Sequence, residues 1–403
     1  MKILIVGAGI AGPTLAYWLM RAGHTPTLVE RTPELRTGGY VIDFWGAGFA
    51  VAERMGIAPE LVRRGYRARE FRQVKRDGTR LLSFNPELFV GSEGQYVTLA
   101  RSDLAAVIYG TLEGRVETIF GDTIRTIDDD GARVRVVFEN SGAVRDFDLV
   151  VGADGLHSKV RRLVFGPDEQ FEKYLGMKVA AFDIKGYRPR EELTAKLYTE
   201  VGFQVTAFPI RDDATMFALT FVDDAPEVPS TREGQESLLR ARFASAAWET
   251  PVILDQMSSA ESLYLDRVSQ VRMPYWTRGR VALLGDAAAC ASLLAGQGSA
   301  LAMVEAYVLA AELGRAPNHV EAFAGYERKL TSFLRSKQKA AERLALAFAP
   351  KNRLQLFVRN SVMRLMSLPL VAKLAAGKSF HDAITLPPVA AAARVTHAQA
   401  SLS

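Results

Sequence analysis

The sequence predicts an α/β fold: a Rossmann-like domain with an inserted antiparallel β-sheet domain and C-terminal helices. Three observations carry that prediction. The chain opens with an aliphatic run, Lys2–Val6, then the glycine-rich turn GAGIAG and a stretch whose apolar residues recur at helical spacing. A second aliphatic run ends in a carboxylate turn, VALLGD, just before another glycine-rich helix start within residues 281–313. Between these two units lie β-rich stretches that break the alternation of strand and helix.

The N-terminal unit reads as β-α-β. Leu15, Trp18, Leu19 and Ala22 line one helix face, Gly23 ends that helix, and residues 26–30 form the next strand with Glu30 at its end. Residues 46–55 are helical up to a stop at Gly56, and 68–97 alternate short strands with turns such as Asp77-Gly78, a typical hairpin corner. Residues 102–109 read as a helix with Ser102 as N-cap and Asp103 in the first turn. Strands at 134–138 and 144–151 pair around Asn140-Ser141-Gly142.

The stretches GFQVTAFPI and TMFALTF, joined by Arg211-Asp212-Asp213-Ala214, imply an antiparallel sheet in a second domain, followed by a helix at 233–246. Beyond Pro317 one long amphipathic helix at 320–347 is expected, then further helices to about residue 376. The expected division is 1–70, 98–170 and 275–345 for the Rossmann-like domain, 71–97 and 171–274 for the inserted domain, 346–387 for C-terminal helices and 388–403 for a mobile tail.

Composition narrows the class. With 403 residues, 48% hydrophobic and 24% charged, the chain is globular rather than disordered. A lone cysteine, Cys290, excludes an intramolecular disulfide framework and a Cys-based metal site, and five scattered histidines offer no ligand spacing, so no metal and a reducing, cytoplasmic setting are expected. Residues 287–304 are uncharged over nearly a membrane span, but Gly296, Gln297 and Gly298 interrupt them, so a buried core segment is expected and no membrane span. A formal charge of +5 without a dense basic run argues against nucleic acid and leaves a weak attraction for anionic small molecules such as NADPH.

Three motifs carry chemistry. In the first, Gly7 permits a tight turn, Gly9 lets the backbone approach a pyrophosphate, and Gly12 allows close helix packing; Glu30 follows at about the ~20-residue offset of a ribose-binding carboxylate. In the second, DLVVGADGLHSKVRR, a strand delivers Asp154-Gly155 to a turn, and Ser158 caps a short helix bearing Arg161. In the third, Asp286 ends a strand and Gly296-Gln297-Gly298 opens a helix, a polyol and pyrophosphate clamp that makes bound FAD the leading reading.

The last two segments resemble the Asp-Gly and Gly-Asp motifs of the FAD-dependent aromatic hydroxylases, the single-component flavoprotein monooxygenases related to para-hydroxybenzoate hydroxylase. With GAGIAG and Glu30 they come in that family's order over about residues 1–345, and the loop RTGGYVIDFWG is also similar to the tetracycline-inactivating branch. The resemblance implies cofactor contacts at Arg36, Gly38-Gly39, Arg101, Asp154 and Asp286, besides Gly7, Gly9, Gly12, Glu30, its neighbour Arg31, Gly296 and Gly298. It also implies FAD, NADPH or NADH as cosubstrate, and dioxygen, with hydroxylation of an aromatic or polyketide-like small molecule through a flavin hydroperoxide.

The chain departs from the family pattern where Ala289 replaces a histidine and Leu293 a proline. Two other readings therefore stay open: an FAD-binding dehydrogenase or NADPH oxidase, and a degenerate flavin-binding protein. Phe203, Phe208 and Phe217 either line an aromatic substrate pocket or belong to the sheet core, and His157 reads as an exposed loop histidine.

Overall fold

The computed structural model describes residues 1–35, 40–65, 68–86, 95–367 and 384–388. Among them a six-stranded sheet runs in the order Thr277–Arg278, Val281–Leu283, Leu149–Gly152, Lys2–Val6, Thr25–Glu30, Glu117–Phe120. All its neighbours are parallel except the first pair. Ile3, Leu4, Ile5 and Val6 are all buried, because helices cover a parallel sheet on both faces and an unbroken apolar run is then the stable pattern.

Helix Ala11–Arg21 follows the first strand and ends as expected at a left-handed Gly23. Against it packs helix Gly298–Arg315, which is buried from Ala300 through Leu313, Glu305 and Glu312 included. That helix explains the uncharged stretch: it is apolar all round because it lies at the centre of the domain. No helix among the described residues is long and apolar enough to cross a membrane.

The second sheet has seven strands in the order Tyr264–Val271, Glu172–Lys185, Ala214–Val222, Phe203–Pro209, Thr194–Glu200, Glu70–Val74, Arg80–Phe84. The hairpin foreseen around Asp77-Gly78 thus extends the sheet built by the later strands. Alternation along each strand sends Phe203, Val205, Phe217, Leu219 and Phe221 under the helices Arg232–Arg242 and Thr250–Gln256. Phe208 and Met216 face the other way, toward Tyr40, Val41, Phe71 and Tyr264. Of the three phenylalanines named from the sequence, only Phe208 lies on this second face; Phe203 and Phe217 are core.

Two other expectations change. Residues 144–151 are not one strand: Val144–Phe147 pairs with Val134–Phe138, and Leu149–Gly152 enters the parallel sheet. Asp148 separates them, its carboxylate accepting the Lys2 N–H at 2.6 Å. Helix Arg101–Gly110 begins one residue earlier than expected, with Ala100 rather than Ser102 at the N-cap, because strand Tyr96–Ala100 runs straight into it.

The sheets are clasped together. Arg211, in the turn after Pro209, donates to the carbonyls of Arg63, Arg64 and Gly65, at the end of helix Ala58–Arg64. Helix His319–Phe348 is capped by Asn318, and helix Arg353–Met366 by Asn352. From the latter helix, Arg359 reaches the side chains of Gln73 and Gln204 in the seven-stranded sheet at 3.1–3.2 Å.

Candidate functional site

Strands Lys2–Val6, Leu149–Gly152 and Val281–Leu283 end level with one another, Val6 beside Gly152 and Gly152 beside Leu283. Each then runs into one of the three motif turns, so residues far apart in sequence meet where parallel sheets present ligand sites, at the carboxyl ends of the strands.

In the first turn two glycines are steric necessities. Gly7 has φ +108°, and a Cβ there would lie 2.5 Å from the Ala153 carbonyl oxygen; at Gly12 it would lie 2.0 Å from the oxygen of Gly7. Gly9 is different. A Cβ there meets only the Arg101 guanidinium, at 3.7 Å. Its bare backbone faces a cation at the start of helix Ala11–Arg21, whose N-terminus has no side-chain cap. A glycine that packing does not require, an arginine and an uncapped helix start form a cradle suited to a pyrophosphate.

Glu30 accepts the Ala8 N–H at 2.9 Å with one oxygen and Thr32 N–H at 3.2 Å with the other, which fixes it beneath the turn. Arg31 beside it is exposed. Arg101 donates its backbone N–H to the Tyr40 carbonyl at 3.1 Å, tying it to the loop before strand Val41–Trp45. Arg36 and Gly39, and Gly38 between them, lie outside the described residues.

Asp154 is buried. It accepts bonds from Ser158 Oγ at 2.5 Å and from the backbone N–H groups of Lys159 at 2.7 Å and Val160 at 3.1 Å. Burial pushes its carboxyl up while these donors pull it back. It therefore braces the start of helix Lys159–Val164, whose Arg161 is fully buried and donates to the Ala287 carbonyl at 3.0 Å, the Leu156 carbonyl at 2.6 Å and Asp168 at 2.6 Å. Arg161 thus joins the second motif to the third.

Asp286 is half-buried and starts the short helix Asp286–Ala289. A Cβ at Gly298 would lie 3.7 Å from its Oδ1, so the carboxylate stands beside the N-terminus of helix Gly298–Arg315, which also lacks a side-chain cap. Gly296 has φ +65° in open space, so it is needed for conformation rather than for room.

The loop between is held by side chains from elsewhere. Gln338 donates to the Val271 and Cys290 carbonyls at 2.7 and 3.3 Å, and Gln270 to the Ala291 carbonyl at 2.9 Å. Ser292 takes φ +116°, unusual for a residue with a side chain, and its hydroxyl accepts the Leu294 N–H. Of the two departures, Ala289 is buried and Leu293 packs with Leu175 and Leu294.

Opposite this loop stands an aromatic pair, Tyr40 and Tyr264, with ring centroids 5.7 Å apart. Burial pushes the Tyr40 hydroxyl up to about 12; Arg101 opposes that shift and Asp286 adds to it. His157 is exposed, as read from the sequence, and its Nε2 lies 3.1 Å from Asp266, at the rim of the same region.

Sequence reasoning missed the supports Gln270, Gln338, Ser292 and Glu305, and it saw Arg161 only as a residue on a capped helix. Arg161, Gln270, Gln338 and Glu305 reach carbonyls and an N–H of the third motif 20 to 126 residues away, so no local pattern announces them.

Comparison with known proteins places this geometry. Residues 1–329 match the FAD binding domain family. An uncharacterized protein of Mycobacterium tuberculosis is 40% identical over 84% of this chain and 92% of its own length. A flavin-dependent monooxygenase of Legionella longbeachae is 32% identical over 96% of this chain and 98% of its own. The crystal structure of the tetracycline destructase Tet(55) superposes with a TM-score of 0.81 at 32% identity, covering 96% of this chain and 98% of that one.

Proposed function

We infer how this chain works from its kinship: it belongs to the FAD-dependent aromatic hydroxylases, a family that includes tetracycline-inactivating monooxygenases, and it is an FAD-dependent monooxygenase. Its partners are dioxygen and a small aromatic or polyketide-like molecule. The observation that carries the residue roles is the pairing of Gly9 with Arg101 and of Gly298 with Asp286 at the level ends of three strands.

In this reading Glu30, with Arg31 beside it, would hold the adenosine ribose, and Gly7, Gly9 and Gly12 would shape the turn that receives the pyrophosphate. Arg101 would neutralise phosphate charge. Asp286 would accept bonds from cofactor hydroxyls, and the helix start at Gly296 and Gly298 would stabilise negative charge on the ring. Arg36 and Gly39 complete the proposed set. Asp154 acts from behind, by holding the helix that carries Arg161.

FAD, when bound, supplies the redox and oxygen-transfer chemistry, for which side chains have no equivalent. The chain supplies orientation and a dry wall. Tyr40, Phe71, Phe208, Met216 and Tyr264 form an apolar face that suits a planar ring system. NADPH or NADH is the proposed reductant. The same reading assigns residues 1–70, 98–170 and 275–345 to cofactor binding and 71–97 and 171–274 to the substrate. A single buried cysteine fits a cytoplasmic location.

The test is oxygen incorporation. Purified protein should show a flavin spectrum, and NADPH oxidation should rise on adding a fused-ring compound such as tetracycline, or a simple phenol, with labelled oxygen from dioxygen appearing in the product. Hydrogen peroxide formed in step with NADPH for every compound, without labelled product, would reject substrate oxygenation.

A further inference from the structure

Among the described residues, Glu305 is the carboxylate buried directly beneath the Gly285-Asp286 turn. It is 1% exposed, and its Oε2 accepts the Gly285 N–H at 2.6 Å. Gly285 has φ +64°, and a Cβ there would stand 3.4 Å from both Ala11 and Ala302, so the turn is clamped between two helices and hangs on this bond. Tyr326 closes the other side, its hydroxyl 3.1 Å from the Leu283 carbonyl and 3.4 Å from Glu305 Oε2.

We propose that Glu305 is a positioning residue for the cofactor: through Gly285 it sets the Asp286 turn, and FAD is held more tightly when Glu305 carries a proton. The inference rests on FAD occupying the site described above. A neutral acid still accepts the Gly285 N–H through its carbonyl oxygen. An ionised one adds a buried negative charge next to Asp286, on the side where an anionic pyrophosphate cofactor must bind.

The groups that act on Glu305 come from each neighbouring element. After burial, the Gly285 N–H opposes protonation through its hydrogen bond, Asp286 on the turn favours the protonated acid, and Tyr326 on helix His319–Phe348 opposes it through its own hydrogen bond. Helices Ala11–Arg21 and Ala47–Met55 meet the Glu305 helix through Ala11 and Gly48. Arg54 on the second of these is spent on Tyr307, at 2.5 Å. Burial is the largest influence and raises the Glu305 acid from 4.5 to about 8.

At Glu305 the folded chain therefore keeps a proton that the unfolded chain has released between about pH 4.5 and 8. Stability from this group is complete below that window and is lost as pH rises through it. Binding of an anionic cofactor should draw in the proton as well.

The test is FAD affinity of the apoprotein between pH 6 and 9, in wild type and in Glu305→Gln, which keeps an acceptor but cannot ionise. One linked proton permits at most a ~10-fold change per pH unit, so wild-type affinity is expected to fall about 3- to 10-fold from pH 7 to 9, with the variant flat within about 2-fold. The apo variant should also unfold at a higher temperature than wild type at pH 9 and at a similar one at pH 5.

If the variant does not fold, calorimetry on wild type at pH 8 in two buffers of different ionisation enthalpy still decides, because proton uptake on FAD binding is required. Tight FAD binding with no uptake, or a variant that keeps the wild-type slope, overturns the proposal. Absence of FAD binding at any pH would instead strike the cofactor reading itself.

Discussion

The Gly7–Gly12 turn and the Gly285–Asp286 turn stand side by side and are built on opposite principles. The first is made rigid by backbone against backbone: Gly7 and Gly12 have no room for a Cβ, and the turn is fixed from outside by Glu30 on the Ala8 N–H and Thr14 on the Ile10 carbonyl. The second is suspended from buried polar side chains, with Glu305, Tyr326, Arg161, Gln270 and Gln338 contributed by four different elements of the fold. Exclusion of volume needs only a small residue in place. A polar scaffold needs its whole set, because each buried group left alone costs ~1–3 kcal/mol. The first turn should therefore break at single positions, and the second should respond to changes far from it.

The sharpest test of that contrast is Arg161→Met. Losing the cation leaves the Ala287 and Leu156 carbonyls without this donor and Asp168 with Arg162 alone, and breaking a buried pair of this kind costs about 3 kcal/mol. Chemical denaturation should show the loss, although Arg161 lies outside both turns. A loss below ~1 kcal/mol would mean that the second turn does not depend on its scaffold.

Within the first turn, Gly12→Ala sets a Cβ 2.0 Å from a backbone oxygen and is expected to cost about 3 kcal/mol, the upper end of overpacking. Gly9→Ala is its control, since that Cβ meets only the flexible end of Arg101. It should fold with wild-type stability but bind FAD about 10-fold more weakly, ~1.4 kcal/mol, read by fluorescence titration. Equal destabilisation by both variants would remove the distinction between packing glycines and ligand-facing ones.

Asp286→Ala should leave the melting temperature of the apoprotein nearly unchanged and weaken FAD by ~1.5–3 kcal/mol, the worth of hydrogen bonds to a charged group. Stoichiometric flavin retained through dialysis would contradict the role given to Asp286. The smallest effect is expected at Ser292→Gly. Glycine takes φ +116° readily, so the variant should gain about 1 kcal/mol less the small hydroxyl bond to Leu294, measured by thermal unfolding.

Much of the fold was legible because its signals are local. A strand, a glycine turn and a helix with Leu15, Trp18 and Leu19 on one face are read within some twenty residues, and Gly23 stops the helix where its φ of +81° allows. Reading failed where two neighbours shared one pattern. Residues 144–151 look like one strand, and only the pairing of Asp148 with Lys2 shows that the chain changes sheets there. Ser102 is a good cap by composition, yet strand Tyr96–Ala100 leaves no linker for it to cap.

For the site, the sequence alone supplied the residues proposed to meet the cofactor: Gly7, Gly9, Gly12, Glu30 and Asp286 stand in spacings that suit a nucleotide cofactor. Tertiary structure alone decided what supports them. Which face of the sheet receives Phe208, which carbonyl receives Arg161, and which carboxylate lies under Gly285 are settled by burial. Burial joins groups that are distant in the chain and makes each unmatched polar atom expensive.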